Sequence, residues 1–466
     1  MTRVISPFLK VVCCCAIVAA CSVDGPSVAP LPSPSDAALT MGGVPSGDAR
    51  AALQVVRSGN AQLVAASATL VPPGAPLPPF VEARLYAIGN VAMHDALNAI
   101  VPRFERYADT RSLDAAANPA AAVAAAVHDA IAGAAPGAAA AADTWYAAQL
   151  DALAGTDGVA EGIAIGQRAA AAILARRASD GTAGGGVAPY VPGASAGDYQ
   201  FTFPFNTAGF DFFGTGGFAD ASVWGATVTP FVVQSTSQFR VGRPYGAPTN
   251  AAAVLTAAYT ADFNEVKALG CITCTARTAE QTEIANFWVE SSPAGWNRIA
   301  RTVTNARHLD AWDTARVLAL LQMGEFDSYA SNLESKYHHN FWRPVTAVAL
   351  AGADGNPATA PEAGWQVLAF PTPPVPDYPS AHAGAGGTAA AILEDAIPGR
   401  GPGFSTTSAS LPLVTRAFRD VREAALENAL SRVYVGYHFR HAADVGLAQG
   451  RAIGAYIVAN ALRRLR

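Results

Sequence analysis

The sequence predicts an all-α protein built around one large helical bundle domain. Alanine dominates the composition, and alanine has the highest helix propensity of all residues. Apolar residues recur at helical spacing through most of the chain. Hydrophobic residues occupy 51% of the 466 positions, which is ample for one large core or for a core shared by two packed halves.

The first 21 residues have the form of an export signal. Arg3 and Lys10 are positively charged, residues 11–20 are apolar, and Cys21 follows three small residues. An apolar run of about ten residues is too short to cross a bilayer. A cysteine in this position resembles the bacterial lipobox, in which the cysteine is acylated. We therefore expect export to the periplasm or cell surface with Cys21 as a lipid anchor, and an ordinary secretion signal is the alternative.

The rest of the chain divides into a tether and a single domain. Residues 22–47 are rich in Pro, Ser, Gly and Ala, which predicts a flexible tether, and the helical domain spans 48–466. Helical patterns cover 51–66, 80–99, 116–142 with a break near Pro136, 157–179, 251–269, 279–289, 297–306, 311–333, 383–396, 413–433 and 442–465.

Residues 180–250 have a different composition, in which Gly, Pro, Thr, Phe and Tyr dominate and no helical period remains. This predicts a long ordered loop with room for a short hairpin. Loops of this length are usually functional or cover another part of the protein.

Charge and cysteine content exclude several classes of partner. The net charge of −5 gives no basic surface for nucleic acid. Cys13, Cys14 and Cys15 lie within the predicted signal, so only Cys271 and Cys274 remain in the domain. Zinc needs four ligands, and no second cysteine pair is present, so we expect a local disulfide or no role for this pair.

Three polar segments stand out near the C-terminus, at residues 336–344, 378–382 and 431–438. They place three cations among aromatic and apolar neighbours: Lys336, Arg343 and Arg432. Cations are rarely buried without an opposite charge, so three close together require an anion between them. A tetrahedral oxyanion such as vanadate or phosphate meets that need, because Arg donates through a planar fork and Lys as a point charge.

The same segments supply the other groups of an oxyanion site. Ser380 and the backbone N–H groups of Ala381 and His382 could open a helix, and helix N-termini bind anions. His382 and His438 add a nucleophile or metal ligand and a proton donor. Each feature alone has a plain structural explanation, and it is their joint order and spacing that indicates the site.

These motifs are similar to the signature of a known superfamily. Lys-x6-Arg-Pro is present at 336–344, Pro-Ser-x-His at 379–382, and Ser-Arg-x5-His at 431–438. The order resembles that of type 2 phosphatidic acid phosphatases, bacterial acid phosphatases and vanadium-dependent haloperoxidases, and other segments resemble the haloperoxidase branch. The resemblance implies two four-helix bundles, and its specific motifs cover roughly the last third of the chain.

The resemblance also implies a role for each residue. His438 would be the covalent partner of the oxyanion, either the vanadium ligand or the phosphorylated nucleophile, and His382 would be the general acid–base. Lys336, Arg343 and Arg432 would neutralise the oxygens, while Ser380 and the N–H group of Ala381 would each hydrogen-bond one oxygen.

The sequence departs from the superfamily pattern at three positions. Ala381 replaces the usual glycine, which keeps the N–H donor but adds a methyl group. Ala442 stands where phosphatases often carry an aspartate, and Asp444 is too far along the helix to replace it. Without that carboxylate we expect a less activated His438, which favours the haloperoxidase. Val375 stands where haloperoxidases often have an aromatic residue or a histidine.

Three functions follow as hypotheses. The first is a vanadium-dependent haloperoxidase that binds vanadate and uses hydrogen peroxide to oxidise a halide. The second is an exported acid phosphatase that hydrolyses phosphate esters through a phosphohistidine and needs no cofactor. The third is a lipoprotein that binds phosphate or vanadate without catalysis. Contact with the membrane is expected only through the N-terminal lipid, and the sequence is compatible with an oligomer.

Overall fold

The computed structural model describes residues 46–71, 77–111, 113–182, 188–189, 191–206, 219–220, 222–397 and 403–465. The predicted signal peptide and the predicted tether up to residue 45 lie outside these residues. The described part contains fifteen α-helices: α1 Ser46–Ser67, α2 Pro79–Ile100, α3 Pro119–Ala134, α4 Ala139–Asp151, α5 Val159–Arg177, α6 Ser222–Thr227, α7 Asn250–Ala253, α8 Ala257–Leu269, α9 Ala279–Phe287, α10 Ser292–Ala306, α11 Ala311–His339, α12 Pro344–Leu350, α13 Ala381–Ala396, α14 Val421–Tyr434 and α15 Arg440–Asn460. The predicted all-α fold is confirmed.

The long helices pack as two groups of four. Helices α1, α2, α3 and α5 pack against one another, and so do α11, α13, α14 and α15. Helix α11 also packs along α2, so it joins the two groups. This arrangement agrees with the pair of four-helix bundles that the resemblance implies.

Small residues bring α13 and α15 into very close contact. A Cβ atom added at Gly450 would lie 1.9 Å from the carbonyl oxygen of Gly384, and one added at Gly446 would lie 2.3 Å from that of Ser380. Real Cβ atoms do not approach so closely, so only glycine lets these backbones meet. The contact fixes the N-terminus of α13, which carries the second motif.

Two short antiparallel hairpins interrupt the helices. Strands β1 (Ala188–Pro189) and β2 (Ala219–Asp220) pair within the long loop, and β3 (Phe404–Thr407) pairs with β4 (Thr415–Phe418). The second hairpin corrects the helix predicted at 413–433, which begins only at Val421.

The physical reasons for this later start are a core contact and a helix cap. The rings of Phe404 and Phe418 pack together at a centroid distance of 5.5 Å, and both are buried. The side chain of Asp420 then accepts a hydrogen bond from the N–H group of Glu423, which caps α14.

The loop predicted at 180–250 is confirmed for its described residues. The regular structure found there is limited to the β1–β2 hairpin, the six-residue α6 and a single 3-10 turn at Pro244–Gly246. Asp327 of α11 anchors this loop, since its carboxylate accepts hydrogen bonds from three consecutive N–H groups, of Phe231, Val232 and Val233. The guanidinium of Arg177 lies 3.9 Å from the centroid of the Phe231 ring. The loop is therefore held against the bundle that carries the C-terminal motifs.

Two further features bear on the sequence predictions. Cys271 and Cys274 form a disulfide within one turn after α8. Among the helices that the structure describes, none has the length and apolar character needed to cross a bilayer.

Helix α11 also buries a carboxyl group. Glu325 is fully buried, and neither oxygen has a hydrogen-bond partner within the described residues. Burial raises the pKa of Glu325 to about 8, and the nearby carboxyl of Glu82 raises it further. The folded protein therefore holds Glu325 protonated at neutral pH, whereas the unfolded chain ionises it near the ordinary value of 4.5.

We expect Glu325→Gln to flatten the pH dependence of stability. Because the unfolded chain loses the Glu325 proton first, the wild-type free energy of unfolding should fall as the pH rises from about 4.5 to about 8. A neutral glutamine removes this contribution, although Glu82 retains a similar one. Chemical denaturation across this pH range measures the effect, with Glu161→Gln on an exposed helix as the control. An equal slope in wild type and Glu325→Gln would contradict the prediction.

Candidate active site

The three predicted motifs meet at one cavity of about 570 Å³. Six of the seven predicted site residues line it: Lys336, Arg343, Ala381, His382, Arg432 and His438. Ser380 is adjacent but fully buried and is absent from the lining. The structure thus brings together groups that are up to about a hundred residues apart in the chain.

Helix ends place these side chains. Helix α11 ends at His339, and the left-handed backbone of its cap, Asn340 (φ 57°), turns the chain one helical turn after Lys336. Helix α14 ends at Tyr434, and Gly436 at φ 86° reverses the chain so that His438 faces the cavity. Because each side chain sits at a helix end, its position depends on the packing of the whole bundle.

Main-chain carbonyls hold two of the cations. Lys336 Nζ donates to the carbonyl oxygens of Pro376 at 2.6 Å and Asp377 at 2.9 Å. Arg343 donates from Nε to the carbonyl of Val375 and from Nη1 to that of Tyr437, both at 2.8 Å.

Arg432 is held in the same way. Its Nη2 donates to the carbonyl of Trp288 at 2.6 Å, and its Nε donates to the hydroxyl of Ser431 at 2.9 Å. These partners satisfy donors without cancelling charge. Among the described residues, none of the three cations is paired with a carboxylate within 4.0 Å.

Burial makes this cluster electrostatically costly. Burial lowers the pKa of Lys336 well below its ordinary value, and the charge of Arg343 lowers it further. Burial also lowers the pKa of Arg343, and it lowers that of Arg432 to about 10. Bringing an anion among the three side chains would relieve both the desolvation and the mutual repulsion.

His438 faces the cluster from the loop before α15. Its Nδ1 lies 2.9 Å from Oδ1 of the buried Asp377, and its Nε2 accepts from Arg343 Nη1 at 2.9 Å. Burial lowers the pKa of His438 well below its ordinary value, and Arg343, Lys336 and Arg432 lower it further. The ring is therefore neutral, and with the proton on Nδ1 its Nε2 lone pair is available to an oxyanion that displaces Arg343.

Asp377 is the functional residue that sequence reasoning missed. The sequence predicts a less activated His438 because position 442 lacks an aspartate. Asp377, which directly precedes the second motif, places its carboxyl Oδ1 2.9 Å from His438 Nδ1, although without the geometry of a hydrogen bond. Burial raises its pKa to about 7, whereas Arg343 and Lys336 act in the opposite direction. A signal was present in the sequence, since this acid directly precedes the motif at 378–382.

Asp377 also ties the motifs together through its backbone. Its N–H donates to the carbonyl of Phe341 at 2.8 Å, and its own carbonyl accepts from Lys336. The same residue therefore contacts the first motif through its main chain and the third through its carboxylate.

His382 occupies the opposite wall. Its Nδ1 lies 2.9 Å from Ser292 Oγ, while its Nε2 is buried and has no hydrogen-bond partner among the described residues. Burial lowers the pKa of His382 well below its ordinary value, and the charge of Arg432 lowers it further. Ser292, which begins α10, carries no sequence signal that links it to the motifs.

Ser380 and Ala381 form the start of α13. Ser380 Oγ accepts from the N–H group of Ala383 at 3.4 Å, and the Ser380 N–H donates to the carbonyl of Ala442 at 2.8 Å. Ser380 is thus the N-cap, and Ala381 supplies the first N–H of the helix beside the cavity. Hydrogen bonds from these two residues to an oxyanion remain a prediction.

The arrangement fits an oxyanion. Three buried cations, the first residue of helix α13, His438 and His382 all line one cavity. A tetrahedral anion would accept from the cations and from the helix while His438 approaches its central atom. The donor set suits vanadate and phosphate equally, because the two have the same shape.

Comparisons with known proteins agree with this geometry. Residues 316–466 match the family model described as the VCPO second helical-bundle domain. A solved structure of a bacterial vanadium-dependent iodoperoxidase is similar with a TM-score of 0.72 and 22% identity, over 88% of this chain and 97% of that one.

Apo-type and holo-type structures of a bacterial vanadium-dependent chloroperoxidase give TM-scores of 0.64 and 0.59. Both are 16% identical and cover 84% of this chain, with 95% and 94% of their own. No curated protein matches the sequence. The matches confirm the resemblance to the vanadium haloperoxidase superfamily, and the solved structures show a shared fold.

We expect Asp377→Ala to weaken oxyanion binding by about tenfold or more, because a group that orients a ligating histidine typically contributes that much. Asp377→Asn keeps an oxygen that accepts from His438 Nδ1, so it should bind more tightly than the alanine variant. Calorimetric titration with tungstate, a stable tetrahedral dianion, measures both affinities. Equal affinities in the two variants would show that Asp377 does not orient His438.

Proposed function

We propose that this chain, which carries a VCPO-type second helical bundle and shares the fold of bacterial vanadium haloperoxidases, is a vanadium-dependent haloperoxidase that uses hydrogen peroxide to oxidise a halide. The observation that carries the proposal is the cluster of three buried cations set against a neutral His438. Among the described residues, no carboxylate forms an ion pair with these cations, and the buried Asp377 carboxyl opposes the charge of Lys336 and Arg343 only from beyond ion-pair distance. Such a cluster needs an anion, and His438 offers that anion a covalent bond.

The residues that would hold vanadate follow from the geometry. His438 would ligate vanadium through Nε2, while Lys336, Arg343 and Arg432 would neutralise the oxygens. Bound vanadate would supply a Lewis-acidic centre at which hydrogen peroxide becomes a two-electron oxidant for halide. The reaction takes up one proton, since peroxide, halide and a proton give hypohalous acid and water.

His382 is positioned to transfer that proton. Its Nδ1 is engaged with Ser292, so its Nε2 is the atom that can exchange a proton with a ligand in the cavity. Burial, together with the neighbouring charge of Arg432, lowers the pKa of His382 and keeps the ring neutral, so the ring would be able to accept a proton from peroxide. The fixed cations need no reorganisation as charge develops, which is the usual source of electrostatic catalysis.

A second function keeps specific support. The Asp377 carboxyl lies 2.9 Å from His438 Nδ1, which is near enough to orient a histidine nucleophile after a small rotation of either side chain, so phosphate-ester hydrolysis through a phosphohistidine is the second candidate. This proximity weakens the argument that a missing aspartate at position 442 disfavours the phosphatase. A receptor that only binds phosphate or vanadate would have no use for the paired histidines.

One assay separates these functions. Purified protein without residues 1–21 is tested with and without orthovanadate for peroxide-dependent bromination or iodination of a phenolic indicator, and in parallel for hydrolysis of a phosphate ester. We expect vanadate-dependent halogenation, which His438→Ala should reduce by about a hundredfold or more.

The matched control is His338→Ala, since His338 is exposed and lies outside the cavity lining. Ester hydrolysis that vanadate inhibits would establish the phosphatase instead. Tungstate or vanadate binding without either activity would leave a binding protein.

We also propose export with a lipid anchor at Cys21. The proposal rests on the charged, apolar and small-residue order of residues 1–21. In a bacterial host, the full chain should enter the membrane fraction and carry a labelled fatty acid, whereas Cys21→Ala should lose the label. Equal labelling of the two proteins would exclude this anchor.

A further inference from the structure

The cavity is much larger than the oxyanion that its charged wall would hold. A tetrahedral anion with four oxygens needs on the order of 100 Å³, taking about 30 Å³ for each water-sized atom. The cavity measures about 570 Å³, so most of its volume remains free once an oxyanion occupies the charged wall. Neither peroxide nor a halide ion needs this remaining space.

The remaining walls are mainly apolar, although Glu290, Ser291, Tyr329 and Tyr437 also line the cavity. The apolar side chains of the lining include Leu77, Phe80, Phe205, Val289, Leu333 and Val375, of which Val375 also accepts a hydrogen bond from Arg343 through its main-chain carbonyl. Phe80, Phe205 and Leu333 are nearly fully buried, so they belong to the protein interior and form a fixed wall. Cavities of this volume with apolar walls and a few polar groups at one end are typical binding sites for small organic molecules.

An aromatic pair lies beside this cavity. Phe203 and Phe370 stack with ring centroids 5.8 Å apart and an interplanar angle of 27°, although they are 62% and 57% exposed. Each directly precedes a proline of the lining, Pro204 and Pro371. Exposed aromatic surface of this kind often marks a binding site, and here it stands next to two residues of the cavity lining.

We propose that the apolar part of the cavity binds an aromatic organic molecule, which accepts the oxidised halogen beside the oxyanion site. The inference rests on the proposed haloperoxidase function. Hypohalous acid formed at the oxyanion site would halogenate the bound ring before the acid diffuses out of the cavity. In that step a carbon–halogen bond replaces a carbon–hydrogen bond, and the ring proton leaves with the hydroxyl group as water.

The test is a competition between two acceptors of different polarity. Vanadate-loaded protein receives peroxide, bromide and a mixture of β-naphthol and phenolsulfonate, and the ratio of the two brominated products is measured. Reagent hypobromite with the same mixture gives the ratio for free oxidant. We expect the protein to favour β-naphthol by about fivefold or more over reagent hypobromite, which is the effect of about one favourable apolar contact.

Val375→Thr probes the wall without changing its volume. The added hydroxyl should move the product ratio towards that of hypobromite by about fivefold, since an unpaired hydroxyl disfavours apolar contact. Val159→Thr, on helix α5 away from the cavity, is the matched control and should keep the wild-type ratio. A wild-type ratio equal to that of hypobromite would overturn the proposal, because the oxidant would then react in solution.

Equilibrium binding separates this proposal from the activity on which it rests. The fluorescence of β-naphthol is titrated with protein in the absence of peroxide, with and without vanadate. We expect saturable binding that Val375→Thr weakens and Val159→Thr does not. If halogenation fails but this binding is present, only the proposed reaction is wrong. If no saturable binding occurs, the cavity does not select an aromatic ligand and the inference fails.

Discussion

The burial of three like charges in one place is the constraint on which the rest of the structure depends. Lys336, Arg343 and Arg432 are at most 3% exposed, and burial lowers the pKa of each. Their repulsion opposes folding, so the bundle around them has to supply the opposing free energy. It does so with carbonyl oxygens, which orient the cations and leave their net charge in place. The excess positive charge therefore favours binding of an anion, which is the physical basis of the proposed oxyanion site.

Backbone geometry determines where the charged side chains of this cluster lie. Asn340 ends α11 in a left-handed conformation, and Gly436 reverses the chain after α14. Glycines of α15 let that helix touch the start of α13. These features lie outside the chemistry, yet each sets the position of a charged or titratable side chain at a helix end. A change in packing several turns away would therefore reach the site as a displacement of its donors, and sites of this kind lose activity through small displacements.

Much of this site could be predicted from the sequence because its motifs combine rare residue types at fixed spacing. The motifs alone identified five of the site residues, namely Lys336, Arg343, His382, Arg432 and His438. Helical periodicity located most of the helices. Asp377 and Ser292 could not be assigned because their contacts depend on tertiary structure. The hairpin at 404–418 was missed for a similar reason, since its Phe–Phe contact with the core outweighs local helical pattern. Cavity size has no sequence signature, so the apolar part of the cavity beside the charged side chains could be identified only from the structure.

The triple contact of Asp377 has a consequence for how such a protein can evolve. Its amide and carbonyl connect it to Phe341 and Lys336 of the first motif, and its carboxyl lies beside His438 of the third, so a single residue aligns two distant parts of the chain with its own. The stretch between α12 and residue 375 then has no need to keep a fixed length, because registration is restored where Asp377 docks. Insertions and deletions there can reshape the surface beside the cavity, where Phe370 is exposed, while the arrangement of the charged side chains and of His438 is kept. Such a chain can change what reaches the cavity by altering loop length rather than by altering the charged and titratable groups.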